Sequence, residues 1–208
     1  MDDEYGMERL EEWNRIFREV VSPIVISNIT NLDILRFTSV ENTQLDIEYG
    51  VDFFMVTKVQ QIPIATRGRR HSYKDLTLRQ LEYFKLSNVI LRKKLGEKIE
   101  YSPELYFYYS VDDETRKICK TISIYKTCDI IETADRLRRE RKLRWNKIRN
   151  GNPFAIISMY DINRTCKKND DDLLRFEHDD YTFVCTSYLK DKETMVKNVG
   201  MKEYSLFL

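Results

Sequence analysis

The segment from Gln44 to Arg70, QLDIEYGVDFFMVTKVQQIPIATRGRR, constrains the fold more than any other part of the chain. It predicts two consecutive strands, with acidic side chains at the start of the first and arginines at the end of the second. Asp46, Glu48 and Asp52 share one parity, so a regular strand would project all three from one face. Gly50 lies between them and is a candidate for a β-bulge that redirects a side chain.

The remainder of this segment supplies the apolar runs and the cations. Phe53 to Val56 is an apolar run of strand length, Lys58 follows it, and Val59 to Thr66 is a second β-rich run. The second run leads into three arginines, Arg67, Arg69 and Arg70. Carboxylates beside fixed cations suit a divalent metal ion and a phosphodiester, because hard cations take oxygen ligands and the cations stabilise charge on phosphorus. The alternative is a charged hairpin whose acids pair with its own arginines.

Three stretches in this order resemble the core of the PD-(D/E)XK nuclease superfamily. They are Gly50-Val51-Asp52-Phe53-Phe54, then Arg67-Gly68-Arg69 at the end of the next strand, then Tyr73-Lys74-Asp75-Leu76-Thr77-Leu78-Arg79. More narrowly, their order and spacing resemble phage and archaeal-virus members, including nuclease-like proteins of spindle-shaped archaeal viruses. The resemblance spans roughly Met7 to Lys126. It implies an α/β fold of the restriction-endonuclease-like type, in which helices flank a mixed central sheet.

The resemblance also implies a metal site for Mg²⁺ or Mn²⁺ and no small-molecule organic cofactor. Asp52 would be the main metal ligand. Glu48 or Asp46 would be the accessory acid, and Glu12 on the first helix would be a further one. The first-helix acid has a simpler alternative, a solvated carboxylate near the positive N-terminal dipole.

One departure from the superfamily pattern concerns the third strand, which normally carries an acid, one residue and a lysine. No acid lies between Val59 and Arg67. Gln60 or Gln61 would replace the acid, with Gln61 orienting a metal-bound water. Lys58 or Arg67 would replace the lysine and stabilise the transition state. The fold is therefore compatible with activity that is weakened, relocated or absent.

A basic helix is predicted from Ile130 to Arg149. Its apolar stripe is Ile130, Ala134, Leu137, Trp145 and Ile148, with the stem of Arg141 filling the gap and Gly151 as the C-cap. The cations proposed to bind nucleic acid, together with Arg69 and Arg70, are Arg138, Arg139, Lys142, Arg144 and Lys147. The alternative is a solvated basic face or a dimer contact.

The other elements follow from periodicity and turn residues. Met7 to Val21 predicts a helix that Pro23 ends, and Tyr73 to Arg79 favours a strand over a helix that begins at Thr77. Further predictions are a short helix Asn88 to Leu95 capped by Ser87, strands at Leu105 to Val111, Ile118 to Tyr125, Phe154 to Tyr160 and Tyr181 to Tyr188, and an acidic loop from Asn163 to Asp180. Residues 1–150 would form the nuclease-like core. Residues 151–208 would form a β extension of the same domain or a dimer arm.

Composition sets weaker limits. The 208 residues suit one domain, and 42% hydrophobic content is enough for a core. The net charge of +1 does not by itself indicate a nucleic-acid partner. The four cysteines lack zinc-site spacing and are expected to be buried thiols or, in a thermophilic source, disulfides. The sequence has no membrane span and no signal peptide, so an intracellular protein is expected, in the host cytoplasm if it is viral.

Three functions remain open. The first is a metal-dependent DNA endonuclease. Superfamily relatives include Holliday-junction resolvases, which work as homodimers, so branched DNA in viral replication or recombination is the implied substrate. The second is a nucleic-acid-binding protein that keeps the fold without the chemistry. The third is a structural or regulatory protein whose basic helix pairs with an acidic loop of another chain.

Overall fold

A mixed seven-stranded sheet with helices on both faces forms the centre of the protein. The computed structural model describes residues 11–70, 75–99, 101–112, 119–147, 153–169, 173–178, 181–186 and 189. The strands are β1 (Ile34–Ser39), β2 (Phe53–Thr57), β3 (Gln61–Arg70), β4 (Asp75–Arg79), β5 (Leu105–Val111), β6 (Cys119–Lys126), β7 (Phe154–Ser158), β8 (Leu173–His178) and β9 (Tyr181–Thr186). The helices are α1 (11–16), α2 (Ser22–Asn28), α3 (Gln80–Lys94), α4 (Thr127–Arg139) and α5 (Met159–Lys168).

The sheet has the strand order β1-β2-β3-β5-β6-β9-β8, and the expected α/β class with a mixed central sheet is confirmed. β1, β2 and β3 are antiparallel neighbours, whereas β3 pairs with β5 and β6 with β9 in parallel. A parallel pair needs a crossover connection, and α3 lies on the chain between β3 and β5. β4 and β7 form a separate two-stranded antiparallel sheet.

Alternating side chains of β5 supply cores on both faces of the sheet. Leu105, Phe107 and Tyr109 pack with the helical segment 11–28, while Tyr106 and Tyr108 pack with α3, α4 and α5. Every residue of β5 is buried, as expected for a strand that is covered on both faces. The tyrosines of this strand are therefore core residues.

The first helical segment continues past Pro23, contrary to prediction. α1 leads into a π turn at Phe17–Val21 and then into α2, which contains Pro23. In the π turn the Ser22 N–H donates to the carbonyl of Phe17, five residues back. Pro23 has no N–H for the Arg18 carbonyl, and the Ser22 hydroxyl donates to that oxygen at 2.8 Å instead. The π turn and this hydroxyl let the helix accommodate the proline.

Two predicted helix boundaries are wrong. α3 begins at Gln80, directly after β4, so Ser87 lies inside the helix and caps nothing. α4 ends at Arg139, and Arg141 has a left-handed φ of 57°. Lys142, Arg144 and Lys147 therefore follow the helix and are not on it. The chain turns there because the Lys142 and Leu143 N–H groups both donate to the Leu137 carbonyl.

This turn brings Leu143 and Trp145 back against the core beneath α4. Trp145 thus reaches the apolar cluster from the connecting segment, without the helical stripe that was predicted. The proposed contribution of Arg141 to that stripe is also wrong, since Arg141 is exposed. Ile148 and Gly151 lie outside the described residues.

The chain beyond Pro153 differs from the predicted strand–loop–strand. β7 ends at Ser158, and α5 begins within the predicted strand and occupies the first part of the predicted acidic loop. The Ser158 hydroxyl caps α5 by accepting from the Tyr160 N–H at 3.2 Å. β8 and β9 extend the central sheet beyond β6.

None of the four cysteines forms a disulfide. Cys119, Cys166 and Cys185 are buried, as expected, and Cys128 is exposed. Among the described helices, none is both long and apolar enough to cross a membrane.

Candidate active site

Asp52 is held by backbone contacts directly before β2. Its N–H donates to the Ile64 carbonyl at 2.9 Å, and its carbonyl accepts from the Val40 N–H at 3.0 Å. One carboxylate oxygen accepts from the Thr66 N–H at 2.5 Å and from the Thr66 hydroxyl at 3.2 Å. The β2–β3 pairing thus fixes where this carboxylate points.

The environment of Asp52 disfavours its charge. Burial raises the pKa of the Asp52 carboxyl to about 7, and the negative charges of Glu82 and Asp46 contribute in the same direction. The Thr66 N–H opposes the shift only in part. A bound cation would stabilise the charged form of a carboxyl that is buried near other acids.

Glu82 in the first turn of α3 is the residue that sequence reasoning missed. One of its oxygens accepts from the Tyr106 hydroxyl at 2.7 Å. Its other oxygen is buried, and no described group donates a hydrogen bond to it. Such an oxygen is rare in folded proteins and indicates a missing partner such as a water or an ion. A helix that begins at Thr77, the alternative that the sequence offers, also places Glu82 near a helix N-terminus.

Arg67 on β3 provides positive charge at this end of the sheet. It follows Thr66, whose N–H donates to the Asp52 carboxylate, so Arg67 and Asp52 lie at the same end of β3. The charges of Arg67 and Asp52 act in opposite directions on the pKa of the Tyr106 hydroxyl and of the Tyr109 hydroxyl, both of which burial raises. Lys85 on α3 adds a second cation, and its ammonium donates to the Asp46 carbonyl at 2.9 Å.

Gln61 and Lys58 are not at this site. Gln61 pairs with Val56 at the opposite end of the β2–β3 hairpin, and Val56 lies four residues from Asp52, or about 13 Å along a strand. Lys58 is in the hairpin turn, where its ammonium is 3.6 Å from a carboxylate oxygen of Asp33. Gln60 is in the same turn, with its N–H bonded to the Thr57 hydroxyl. The expected water-orienting and lysine-replacing roles of Gln61 and Lys58 do not fit this placement.

Asp46 and Glu48 lie on a π turn, Leu45–Tyr49, and not on a strand. Gly50, with φ of 71°, ends this turn by donating from its N–H to the Asp46 carbonyl, so it is a helix cap and not a bulge. Because this segment is helical, the expectation that Asp46, Glu48 and Asp52 project from one face of a strand is wrong. Asp46 is close enough to raise the pKa of Asp52. Glu48 instead accepts a hydrogen bond from the Gln44 amide at 2.8 Å, and its charge contributes to raising the pKa of Arg92.

Glu12 and the two distal arginines have other surroundings. Glu12 lines an open depression of about 650 Å³ together with Glu11, Arg15, Arg18 and Glu41. Arg69 donates to the Asp75 carboxylate at 2.6 Å and to the Thr77 hydroxyl at 3.2 Å, so it joins β3 to β4. This acid lies outside the Gln44–Arg70 hairpin, so the pair differs from the expected alternative, in which the hairpin's own acids pair with its arginines. Arg70 pairs with Val111 through the backbone of β3 and β5.

A basic surface surrounds the end of α4. It consists of the exposed residues Arg138, Arg139, Arg141, Lys142, Arg144 and Lys147. The Arg138 guanidinium lies 5.9 Å from the centroid of the Tyr83 ring, and Tyr83 in turn contacts Trp145 with ring centroids 5.6 Å apart. Lys142 is paired with Glu140 at 2.8 Å. Arg136 is not part of this surface, because it is bonded to Asp161.

The carboxylates that remain for a metal are few. Within the described ranges, no group of three or more histidine, cysteine or acidic residues is close enough to hold a metal ion. Of the other acids, Glu82 contributes most to the raised pKa of Asp52 and Asp46 contributes less, so Asp52 and Glu82 are the two candidate metal ligands. Mg²⁺ is commonly bound through one or two carboxylates while it keeps several waters, so two carboxylates fit this ion.

No protein-family profile matches the sequence, and no curated protein is significantly similar to it.

Proposed function

We propose that this protein is a metal-dependent nuclease that acts on DNA. The observation that carries the proposal is the pair formed by Asp52, whose pKa is raised to about 7, and Glu82, which has a buried oxygen without a donor. A divalent cation between the two carboxylates would compensate both features at once. Cations nearby and a separate basic surface are what a phosphodiester substrate requires.

Each group has a role that its position supports. Asp52 and Glu82 would hold Mg²⁺ or Mn²⁺, which supplies activated water and charge stabilisation at phosphorus. Arg67 would bind a non-bridging phosphate oxygen and stabilise the negative charge that develops there. Thr66 orients the Asp52 carboxylate through two hydrogen bonds, and Tyr106 orients Glu82 through one. The preorganised positions matter because small displacements of ligands lower catalytic rates steeply.

The fold supports the restriction-endonuclease-like assignment at the level of architecture. A helical segment precedes three antiparallel strands, and α3 then leads to a strand parallel to the third. β3 lacks the expected acid, but Glu82 approaches the same end of the sheet from α3. The acid of the third strand would thus be replaced from the following helix, and Gln61 would not be needed.

The second candidate function is nucleic-acid binding without cleavage. The observation that favours it is the absence of any acid on β3 and of a three-ligand metal group among the described residues. The basic surface is expected under both functions. Metal binding at Asp52 and Glu82 separates them, because a pure binding protein does not need it.

The test combines calorimetry with a cleavage assay. Titration with Mn²⁺ and Mg²⁺ is measured for the wild type, Asp52→Asn and Glu82→Gln, with Glu48→Gln as the matched control on the neighbouring turn. The same four proteins are incubated with labelled four-way-junction, duplex and single-stranded DNA. We expect Asp52→Asn and Glu82→Gln to reduce cleavage at least about 100-fold and to abolish the strongest metal binding, with Glu48→Gln unaffected.

Metal binding without cleavage of any substrate would contradict the nuclease and favour a metal-stabilised binding protein. Binding of DNA that is the same in all four proteins, with no metal binding, would favour the second candidate. Failure to retain any DNA at low salt would contradict both and support a protein-interaction role.

A further inference from the structure

The solvent face of α3 carries a regular apolar stripe. Leu81, Phe84, Leu91 and Leu95 have exposed fractions of 59%, 50%, 55% and 73%. Asn88, also exposed, lies between them. The spacings are three, four, three and four residues, which align all five positions along one side of a helix. Tyr83, Leu86 and Val89 on the opposite side are buried in the core, so α3 has a second apolar face without a function in the fold.

The stripe is symmetric about Asn88. Leu81 and Leu95 each lie seven residues from Asn88, and Phe84 and Leu91 lie four and three residues from it. An isologous contact requires a surface that is complementary to itself under a two-fold rotation. An apolar stripe that reads similarly in both directions, with one amide at its centre, meets this requirement. Asparagine has both donors and an acceptor, so two copies can bond to each other.

We propose that α3 is the contact surface of a homodimer, in which two copies of α3 pack antiparallel around a two-fold axis at Asn88. This arrangement places Leu81 against the partner's Leu95, Phe84 beside the partner's Leu91, and the two Asn88 amides together. Any other centre would place the Asn88 amide against apolar side chains and leave it without a hydrogen bond, which is unfavourable.

The charges along α3 favour the antiparallel orientation over the parallel one. Arg92, Lys93 and Lys94 occupy the last turn. Parallel packing would bring the two basic last turns together, whereas antiparallel packing places them at opposite ends of the helix pair. The helix dipoles are also opposed in the antiparallel pair.

Two cations beside the stripe have partners within the same chain. Arg92 is bonded to Glu97 at 2.7 Å, and Lys85 is bonded to the Asp46 carbonyl. Repulsion between the two copies is therefore limited. The proposal is independent of the nuclease function, because it rests on α3 and not on the metal site.

Disulfide trapping tests the axis and the orientation directly. Exposed Cys128 is first changed to Ser, since it is the native thiol that would cross-link non-specifically. Three proteins are then oxidised in this background: Asn88→Cys, Leu81→Cys, and Leu81→Cys with Leu95→Cys. Residues 81 and 95 are about 21 Å apart along the helix. We therefore expect Asn88→Cys and the double variant to form covalent dimers and Leu81→Cys alone to stay monomeric.

Molar mass in solution gives a second measurement. Light scattering after size exclusion should show a dimer for the wild type and a monomer for Phe84→Glu and Leu91→Glu, with Lys98→Glu as the exposed control that stays dimeric. Circular dichroism confirms that each variant is folded. A wild type that is monomeric at a protein concentration of about 100 µM overturns the proposal. Cross-linking of Leu81→Cys alone also overturns it, because it indicates parallel packing.

Discussion

Asp52 couples the stability of this protein to pH. An aspartate has an ordinary pKa near 4 in an unfolded chain, and burial with two neighbouring acids raises the folded value to about 7. Between about pH 4 and pH 7 the unfolded chain releases this proton while the folded protein retains it. The Asp52 contribution to the free energy of unfolding therefore falls as pH rises through this window, by about 3 to 4 kcal/mol in total.

Asp52→Asn removes this titration while it keeps the size of the side chain. Urea denaturation at pH 4.5 and pH 8 should show that the free energy of unfolding falls by about 3 kcal/mol more in the wild type than in the variant over this interval. Glu48→Gln is the control, with a pH dependence like that of the wild type. Added Mn²⁺ should restore wild-type stability at pH 8 and leave Asp52→Asn unchanged. Equal pH profiles for the wild type and Asp52→Asn would show that Asp52 is ionised normally in the folded protein.

Gly68 is required by a close approach of α1 to β3. A Cβ at this position would overlap the Trp13 ring and come within 2.7 Å of the Tyr109 hydroxyl, which itself donates to the Trp13 carbonyl. We expect Gly68→Ala to destabilise the protein by about 3 kcal/mol, since a packed ring must move. Gly96→Ala is the comparison, because its φ of 87° gives strain in open space and costs about 1 kcal/mol. Thermal denaturation should rank the two variants in this order.

At the scale of the element, the end of α4 depends on one strained residue. Arg141 has a φ of 57°, a left-handed conformation that costs a side chain about 1 kcal/mol or more and glycine almost nothing. Its side chain is exposed, and its role in the turn is carried by backbone bonds. Arg141→Gly should therefore raise the free energy of unfolding by about 1 kcal/mol. Arg139→Gly, two residues earlier at the last position of the helix, should lower it by up to a similar amount; an opposite ranking would contradict the observed helix end.

The strands were the elements best predicted from the sequence. Leu105–Val111 is a strand with the expected bounds, and the Phe53 run forms β2. Both are dense in aromatic and β-branched residues, so their preference is local. The strand prediction for Gln44–Tyr49 is wrong. Alternating acids are compatible with a strand, but Gly50 adopts a left-handed conformation that caps a helical turn. The predicted end of α4 is wrong because Trp145 has the spacing of the helix's apolar stripe. In the structure Trp145 lies beyond the helix and packs against the same core.

The candidate site was predicted in part for the same reasons. Asp52 and Arg67 follow from the sequence because they flank strongly predicted strands. Gln61 and Lys58 were grouped with Asp52 by their closeness in the chain, whereas hairpin pairing places them at the other end. Glu82 was missed because its role depends on where α3 begins, and the competing strand and helix signals at Thr77 left that open. No local pattern indicates that Glu82 retains an unpartnered buried oxygen.

At the scale of the whole molecule, α3 connects the candidate site to the basic surface. Glu82 is in its first turn, and the next residue, Tyr83, contacts both Arg138 and Trp145. Tyr83 also donates to Asp135 on α4 at 2.5 Å. The basic surface is thus fixed relative to the candidate site through packed rings and a helix–helix contact. A DNA backbone held on the basic surface would keep a defined position relative to Asp52 and Glu82.

The salt dependence of DNA binding tests this surface. Neutralising Arg138, Arg139 and Arg144 together by substitution with Ala removes up to three phosphate contacts without touching the site or the α3 stripe. The logarithm of the association constant falls linearly with the logarithm of salt concentration, by about 0.9 for each phosphate contact on duplex DNA. The triple variant should therefore have a slope shallower by about 2 to 3 than that of the wild type, measured by fluorescence anisotropy on one labelled duplex.

Arg15→Ala is the matched control, because Arg15 is exposed but is paired with Glu19 at 3.0 Å on the N-terminal helix. This variant should keep the slope of the wild type. Titration in the Asp52→Asn background would prevent the proposed cleavage and leave the basic surface intact. If the triple variant and Arg15→Ala reduce the slope equally, the contacts are spread over the protein surface. In that case the end of α4 has no special role in holding DNA, and its cations serve only to keep that face solvated.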